Sequence, residues 1–230
     1  MAAAAPNEIK VFTDELASYR EHTLEVHVNK ASHPGAKAED QSTPLQIMPE
    51  YSYGIRRNWE LSLQLPVSIS HGSSDLDGYR VELQYVAPHD EDEGFYWGVN
   101  VELARNTRSG EEAFWSVELM PIVGYRVGRW HFAANPGVDK AISGSSRATN
   151  FQPAAKVAYQ AFGWNAFGVE YYVEAGPLSN LSSRDDQSRV LYLVWDGKIG
   201  KSEINLGLGR GFTDASDRWV FKMIWEVAFK

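Results

Sequence analysis

Apolar side chains recur at every second position from about residue 23 to the end of the chain, and this alternation restricts the fold more than any other feature. At the C-terminus one parity is wholly apolar: Trp219, Phe221, Met223, Trp225, Val227 and Phe229. A period of two is that of a β-strand with one apolar face, and the helical spacing i, i+3, i+4 hardly appears. The chain is therefore predicted to be all-β.

Twelve segments show this alternation, and the connections between them alternate in length. Strands are predicted near residues 23–30, 45–55, 58–69, 78–88, 94–105, 113–127, 129–136, 151–162, 166–178, 188–197, 202–211 and 218–230. Connections after even-numbered strands are mostly short, whereas those after odd-numbered strands are longer, polar and rich in Gly, Ser and Asp. This pattern is typical of a transmembrane antiparallel up-and-down β-barrel of about 12 strands with both termini in the periplasm.

The composition is compatible with such a barrel and removes several other classes. The longest apolar run, 190–195, is far shorter than the roughly 20 residues of a spanning helix. A net charge of −8 argues against a nucleic-acid partner, because the phosphate backbone attracts basic surfaces. Since the chain has no cysteine, thiol catalysis, cysteine-bound zinc and disulfides are excluded, and no cofactor is expected.

Aromatic residues stand at both ends of the apolar parity, as expected for rings that lie at two membrane–water boundaries. The predicted interface aromatics are Tyr53, Trp59, Tyr79, Tyr85, Trp97, Trp115, Tyr125, Trp130, Trp219 and Phe229. The alternative is a soluble lipocalin-like barrel or a sandwich, which would place the apolar parity in its interior. The uniform apolar parity and the charged opposite parity favour the membrane barrel.

The opposite parity is charged and is predicted to face the lumen. Its predicted lumen-lining residues are Glu25, His27, Glu60, Arg80, Glu82, Glu102, Glu118, Arg126, Lys156, Glu170, Glu174, Lys222 and Glu226. These side chains could form an ion-pair network that holds the barrel in shape, or they could line a narrow passive channel. Because acids outnumber bases on this parity, such a channel would favour small cationic or neutral solutes.

Residues 1–22 precede the first predicted strand, and residues 23–230 are predicted to form one barrel domain. The first 22 residues are interpreted as an N-terminal periplasmic segment or a plug of the lumen. The start, MAAAAPNEIKV, has neither the basic nor the apolar region of a signal peptide. The expectation is that Met1 replaces a signal peptide that has been removed.

Residues with the chemistry for catalysis or metal binding are few. In a predicted outer loop, His71 stands beside Ser70, Ser73, Ser74, Asp75 and Asp77, which leaves a hydrolase at the barrel rim as an alternative. Glu25 and His27 share a face at a spacing compatible with metal ligation, but two ligands are a weak signal. The acidic run 90–93 is interpreted as a solvated periplasmic turn. A non-conducting structural or adhesive barrel is the third functional class.

Five segments carry a resemblance to known proteins: NEIKVFTDEL, TLEVHVN, PEYSYGIRRNWELSLQLPV, GRGFTDASDRW and the closing strand. They resemble Gram-negative outer-membrane β-barrels, and more narrowly a proteobacterial group loosely linked to uptake barrels of aromatic-compound (phenol) degradation. The closing strand resembles the assembly signal of such barrels, although Lys230 follows the terminal aromatic Phe229. The resemblance implies the bacterial outer membrane as location, no enzyme activity, and the lipid bilayer, lipopolysaccharide and the barrel-assembly machinery as partners.

Overall fold

The structure is a computed structural model that describes residues 9–32, 43–70, 72–107, 112–145 and 147–229. It is all-β apart from one short 3-10 turn at Arg184–Asp186. No helix within these ranges is long and apolar enough to cross a membrane. The strands are β1 His22–Ser32, β2 Leu45–Arg56, β3 Trp59–Gln64, β4 Val67–Ser70, β5 Ser73–Leu76, β6 Gly78–Val86, β7 Gly94–Asn106, β8 Phe114–Val127, β9 Trp130–Ala141, β10 Thr149–Phe162, β11 Asn165–Glu174, β12 Gly176–Pro177, β13 Ser188–Ile199, β14 Ser202–Gly211 and β15 Trp219–Phe229.

Twelve of these strands form a closed antiparallel barrel, as the sequence predicts. Successive wall strands pair with each other, and β4, β5 and β12 are short additions. The first and last strands close the wall in unbroken register from His22 opposite Phe229 to Ser32 opposite Trp219. Closure satisfies the backbone donors and acceptors of both edge strands, which is the condition for a β-sheet to exist in a bilayer.

The third predicted strand, 58–69, is the largest departure from expectation. It divides into β3 and β4 at Leu65 and Pro66, because proline has no amide hydrogen for the ladder. β4 then turns back as a hairpin with β5, which pairs Val67 with Leu76 and Ser70 with Ser73. Residues 73–76, predicted as loop, therefore extend the barrel wall on the long-loop side.

The seventh predicted strand, 129–136, continues in the structure to Ala141. Pro136 and Gly137 resemble a strand end in the sequence, yet Pro136 lies directly opposite Pro153 of β10 in unbroken register. Two prolines opposite each other leave no unmatched donor at that position, so neither interrupts the ladder. At Pro121 the pairing of β8 with β9 is interrupted between Leu119 and Val123 without a change of register.

The two faces of the wall differ in polarity along almost every strand. In β7, for example, Trp97, Val101 and Leu103 are exposed on the outer surface, whereas Asn100 and Glu102 are buried in the interior. The apolar parity therefore faces outward, which is the reverse of a soluble lipocalin-like barrel. β13, whose sequence is apolar on both parities, directs Val190, Tyr192 and Val194 inward and leaves Leu193 67% exposed.

Gly124 of β8 allows the ring of Tyr96 to lie flat against the inner wall. A Cβ at position 124 would stand 2.0 Å from Tyr96 Cζ, so the ring would have to leave its place and its hydrogen bond to His131 Nε2, 2.7 Å, would break. We expect Gly124→Ala to lower the free energy of unfolding by about 1–3 kcal/mol in lipid or detergent, measured by equilibrium denaturation. In a Tyr96→Ala background the same substitution should cost little, and an equal cost in both backgrounds would contradict the steric explanation.

Candidate functional site

The N-terminal segment, residues 9–18, lies inside the barrel and contacts strands on several sides of the lumen. At its centre the Phe12 amide donates to Asn135 Oδ1 at 2.8 Å, and Asn135 Nδ2 donates to the Phe12 carbonyl at 3.0 Å. Gln84 of β6 donates to the Thr13 and Glu15 carbonyls, at 3.4 and 3.3 Å. Side chains of the wall therefore satisfy the backbone of a segment that has no strand partner of its own.

Charged side chains anchor the same segment at two further places. Asp14 accepts two hydrogen bonds from Arg126, at 2.6 and 2.9 Å, and one from His89 Nε2 at 3.0 Å. Burial alone would raise the pKa of the Asp14 carboxyl, but these hydrogen bonds hold that pKa below its ordinary value. Lys10 Nζ lies 3.1 Å from both carboxylate oxygens of Glu25.

Two apolar residues of the segment fill the middle of the lumen. Phe12 packs against Tyr96, Met120 and Ile122, while Val11 packs against small residues of β9 and β10. Each of the two side chains is buried, at 4% and 6% exposure respectively. Burying an aliphatic or aromatic side chain contributes about 1.5–3 kcal/mol, so the segment is held by apolar contact as well as by its ion pairs.

Glu170 of β11 is the centre of an ion-pair cluster on one side of the lumen. Its carboxylate accepts from the ammonium group of Lys222 on β15, across the two intervening strands, and from the Tyr172 hydroxyl at 2.7 Å. Lys156 lies 3.4 Å from Glu170 and 2.8 Å from Asp196. Lys222 also donates to the Ile9 carbonyl at 3.0 Å, which connects this cluster to the N-terminal segment.

A second cluster lies on β1, β2 and the strands beside them. His27 Nε2 is 3.2 Å from Glu25 and 3.4 Å from Glu50. Gln64 Nε2 donates to Glu50 at 3.1 Å and to Glu82 at 2.8 Å. The inner face of the wall is thus lined by charged and amide side chains that bind each other. This is the arrangement expected of an ion-pair network that holds the barrel in shape.

A cavity of about 230 Å³ lies in the lumen between the N-terminal segment and the long-loop end of the barrel. Part of its lining is apolar: Ile9, Phe12, Met120, Tyr172, Val190, Tyr192 and Val220. Its charged lining consists of five acids and two bases: Glu102, Glu118, Asp139, Glu174 and Asp217, and Lys10 and Arg80. The cavity is therefore amphipathic, with more acids than bases.

The residues predicted to line the lumen lie on the inner parity at different depths. Seven are buried: Glu25, His27, Arg80, Glu82, Glu102, Glu170 and Lys222. Glu60, Glu118, Arg126, Lys156 and Glu226 are partly buried, and Glu174 is exposed at the end of β11, where it lines the cavity. The Glu60 carboxylate accepts from the Ala17 amide at 2.5 Å.

The sequence missed the lumen partners that are uncharged or lie outside its predicted strands. Asn135 and Asp139 belong to the part of β9 around and beyond the predicted end at 136, and Lys10 and Asp14 precede the first strand. A continued period of two through Pro136 would have identified Asp139. His71 of the rim-hydrolase alternative lies outside the described residues.

The predicted interface aromatics lie on the outer surface near the strand ends. At the short-turn end, Tyr85 contacts Trp59 and Trp97, with ring centroids 4.7 and 6.0 Å apart, and Trp130 contacts Tyr159 at 4.9 Å. At the long-loop end, Tyr79 and Trp115 meet edge to face at 5.8 Å. Exposed aliphatic residues such as Val101 and Leu103 lie between these two groups.

A closed barrel with an apolar outer band, aromatic residues at both ends of that band and a charged interior has the fold of a bacterial outer-membrane β-barrel. The COG4313 outer membrane channel from Pseudomonas putida F1 has a similar structure, with a TM-score of 0.74 and 13% identity over 96% of this chain and 100% of that one. LpxR from Salmonella typhimurium (TM-score 0.49, 10% identity, 89% and 99% covered) and the translocator domain of NalP from Neisseria meningitidis (0.48, 10%, 94% and 90%) are more distant barrels. Neither a protein-family model nor a curated protein sequence matches the chain.

Proposed function

We propose that this protein is a narrow passive channel of the bacterial outer membrane for small cationic or neutral solutes, with both termini in the periplasm. The observation that carries the proposal is that the lumen is closed by the N-terminal segment and not by the wall alone. A segment held through Lys10, Asp14 and the Phe12 backbone can leave without unpairing any barrel strand. The structural similarity to an outer membrane channel supports the same assignment.

The charge of the cavity supports a preference for cations. Five acids and two bases line it, and a low-dielectric wall concentrates their field on any solute that enters. The apolar part of the lining offers contact to the uncharged part of such a solute. Lipopolysaccharide around the outer band and the barrel-assembly machinery during insertion are the partners that the proposal implies.

Ion selectivity in planar bilayers tests this proposal. We expect the full chain to conduct in small steps, with a reversal potential in a salt gradient that shows cations passing more easily than anions. Neutralising two cavity acids in Glu102→Gln/Glu118→Gln should shift the reversal potential toward zero, because the fixed charge that attracts cations falls.

The matched control is Glu91→Gln, which removes an exposed acid in the periplasmic turn and should leave selectivity unchanged. A preference for anions in the unmodified protein would overturn the proposed solute class. The absence of conductance both from the full chain and from a chain without its N-terminal segment would favour a structural or adhesive barrel.

A further inference from the structure

Glutamates stand directly opposite one another on four neighbouring strands of the inner wall. The strand registers place Glu203 opposite Glu226, Glu226 opposite Glu25, and Glu25 opposite Glu50. Directly opposed like charges destabilise a sheet, so this row requires a cation nearby. In the structure Lys198 pairs with Glu203, and the ammonium group of Lys10 lies 3.1 Å from both oxygens of Glu25.

Two of these glutamates and His27 have the geometry of a metal site. One ligand atom from each of Glu25, His27 and Glu50 lies within 4.8 Å of the other two, and the residues are only 6%, 1% and 2% exposed. An imidazole with two carboxylates is a donor set that suits Zn²⁺ and similar transition-metal ions better than Mg²⁺ or Ca²⁺.

The two ring nitrogens of His27 have different surroundings. Its Nδ1 is buried and has no hydrogen-bond partner among the described residues. The orientation of the ring is therefore fixed only by packing and by what Nε2 binds, and Nε2 is directed at Glu25 and Glu50.

We infer that Glu25, His27 and Glu50 form a binding site for a divalent transition-metal cation of the Zn²⁺ type, in competition with the ammonium group of Lys10. Lys10 lines the cavity, so an ion that enters from the long-loop side meets it first. A bound divalent ion replaces Lys10 at Glu25, since both cannot occupy the same carboxylate face. Metal binding would then remove one anchor of the N-terminal segment.

Calorimetry with Zn²⁺ on the untagged full chain in detergent, after removal of metal with a chelator, tests this inference. We expect one ion per chain, and a weakening of about tenfold or more in His27→Gln and in Glu50→Gln. Lys10→Met should tighten binding, because the competing cation is gone. Co²⁺ provides a second measurement, since its visible absorption should appear in the wild type and disappear in His27→Gln.

The control is Glu91→Gln, which removes an exposed acid of the turn between β6 and β7, outside the cluster and outside the cavity lining, and should leave Zn²⁺ affinity unchanged. The inference is overturned if no stoichiometric binding is found, or if His27→Gln, Glu50→Gln and Lys10→Met all bind as the wild type does. Circular dichroism and heat-modifiable electrophoretic mobility confirm that each variant is folded. Because none of these measurements depends on conductance, failure here is separate from failure of the channel proposal.

Discussion

Removal of residues 1–17 is expected to raise the single-channel conductance severalfold. The physical reason is that Phe12 and Val11 occupy the middle of the lumen, so their removal leaves that space to water. The truncated chain should also unfold at lower denaturant concentration, since burial of each apolar side chain that is lost contributes about 1.5–3 kcal/mol. Planar-bilayer recordings and denaturation of the same preparation measure both effects.

Two point variants in the segment distinguish loss of the Asp14 ion pair from loss of one negative charge in general. Asp14→Asn removes the negative charge opposite Arg126 and one of the two oxygens that accept from it, so it should increase the fraction of time that the channel conducts. Glu15→Gln is the control, because its side chain is 78% exposed and lies 3.9 Å from Arg126, and it should behave as the wild type. Equal conductance of the full and truncated chains would show that the segment does not close the lumen.

Replacement of Glu170 by glutamine is expected to be the most destabilising single change in the wall, at about 3–5 kcal/mol. The carboxylate lies between two ammonium groups, and its loss leaves Lys222, which is 1% exposed, without a counter-ion. Lys222→Met should cost less, because Glu170 keeps Lys156 and the Tyr172 hydroxyl as partners. Urea unfolding in lipid vesicles measures the loss of stability in each variant and shows which loss is larger.

The double variant Glu170→Gln/Lys222→Met tests whether charge is the cause. Removing the unpaired ammonium should recover part of the stability that Glu170→Gln alone loses. If the two losses simply add, the cost comes from packing and not from an unpaired charge. A cost of Glu170→Gln below about 1 kcal/mol would place this pair among weak, solvated ion pairs.

The barrel was predictable because membrane strands repeat a simple pattern. In β7 the apolar residues from Phe95 to Leu103 alternate with buried inward residues from Tyr96 to Ala104, so the existence of the strand and the facing of its residues follow from parity. The pattern was less informative in β13, where both parities are apolar. It also predicted a strand end at Pro136, which lies inside β9. At Leu65 and Pro66 it concealed a real break, because an isolated proline interrupts a ladder only where its amide would have donated.

For the candidate site, the sequence predicted only which charged residues face the lumen. Which of them pair depends on contacts between strands far apart in sequence, such as Lys222 with Glu170, and parity contains no information about distances across the lumen. The N-terminal segment has no alternation, so its course through the barrel could not be predicted from residues 9–18. Its partners Asn135, Gln84 and Arg126 come from three different strands.

The sequence by itself determined that the chain alternates apolar and polar residues over twelve strands, and therefore that it forms a closed barrel with an apolar outside and an acidic inside. Only the tertiary structure decided what fills that interior. Pairing of β1 with β2 places Glu50 opposite Glu25, closure of β1 on β15 adds Glu226, and the N-terminal segment supplies Lys10 to the same place. The reason is physical: facing is a local property of the pleat, whereas charge pairing in a lumen depends on the distance between strands that closure sets.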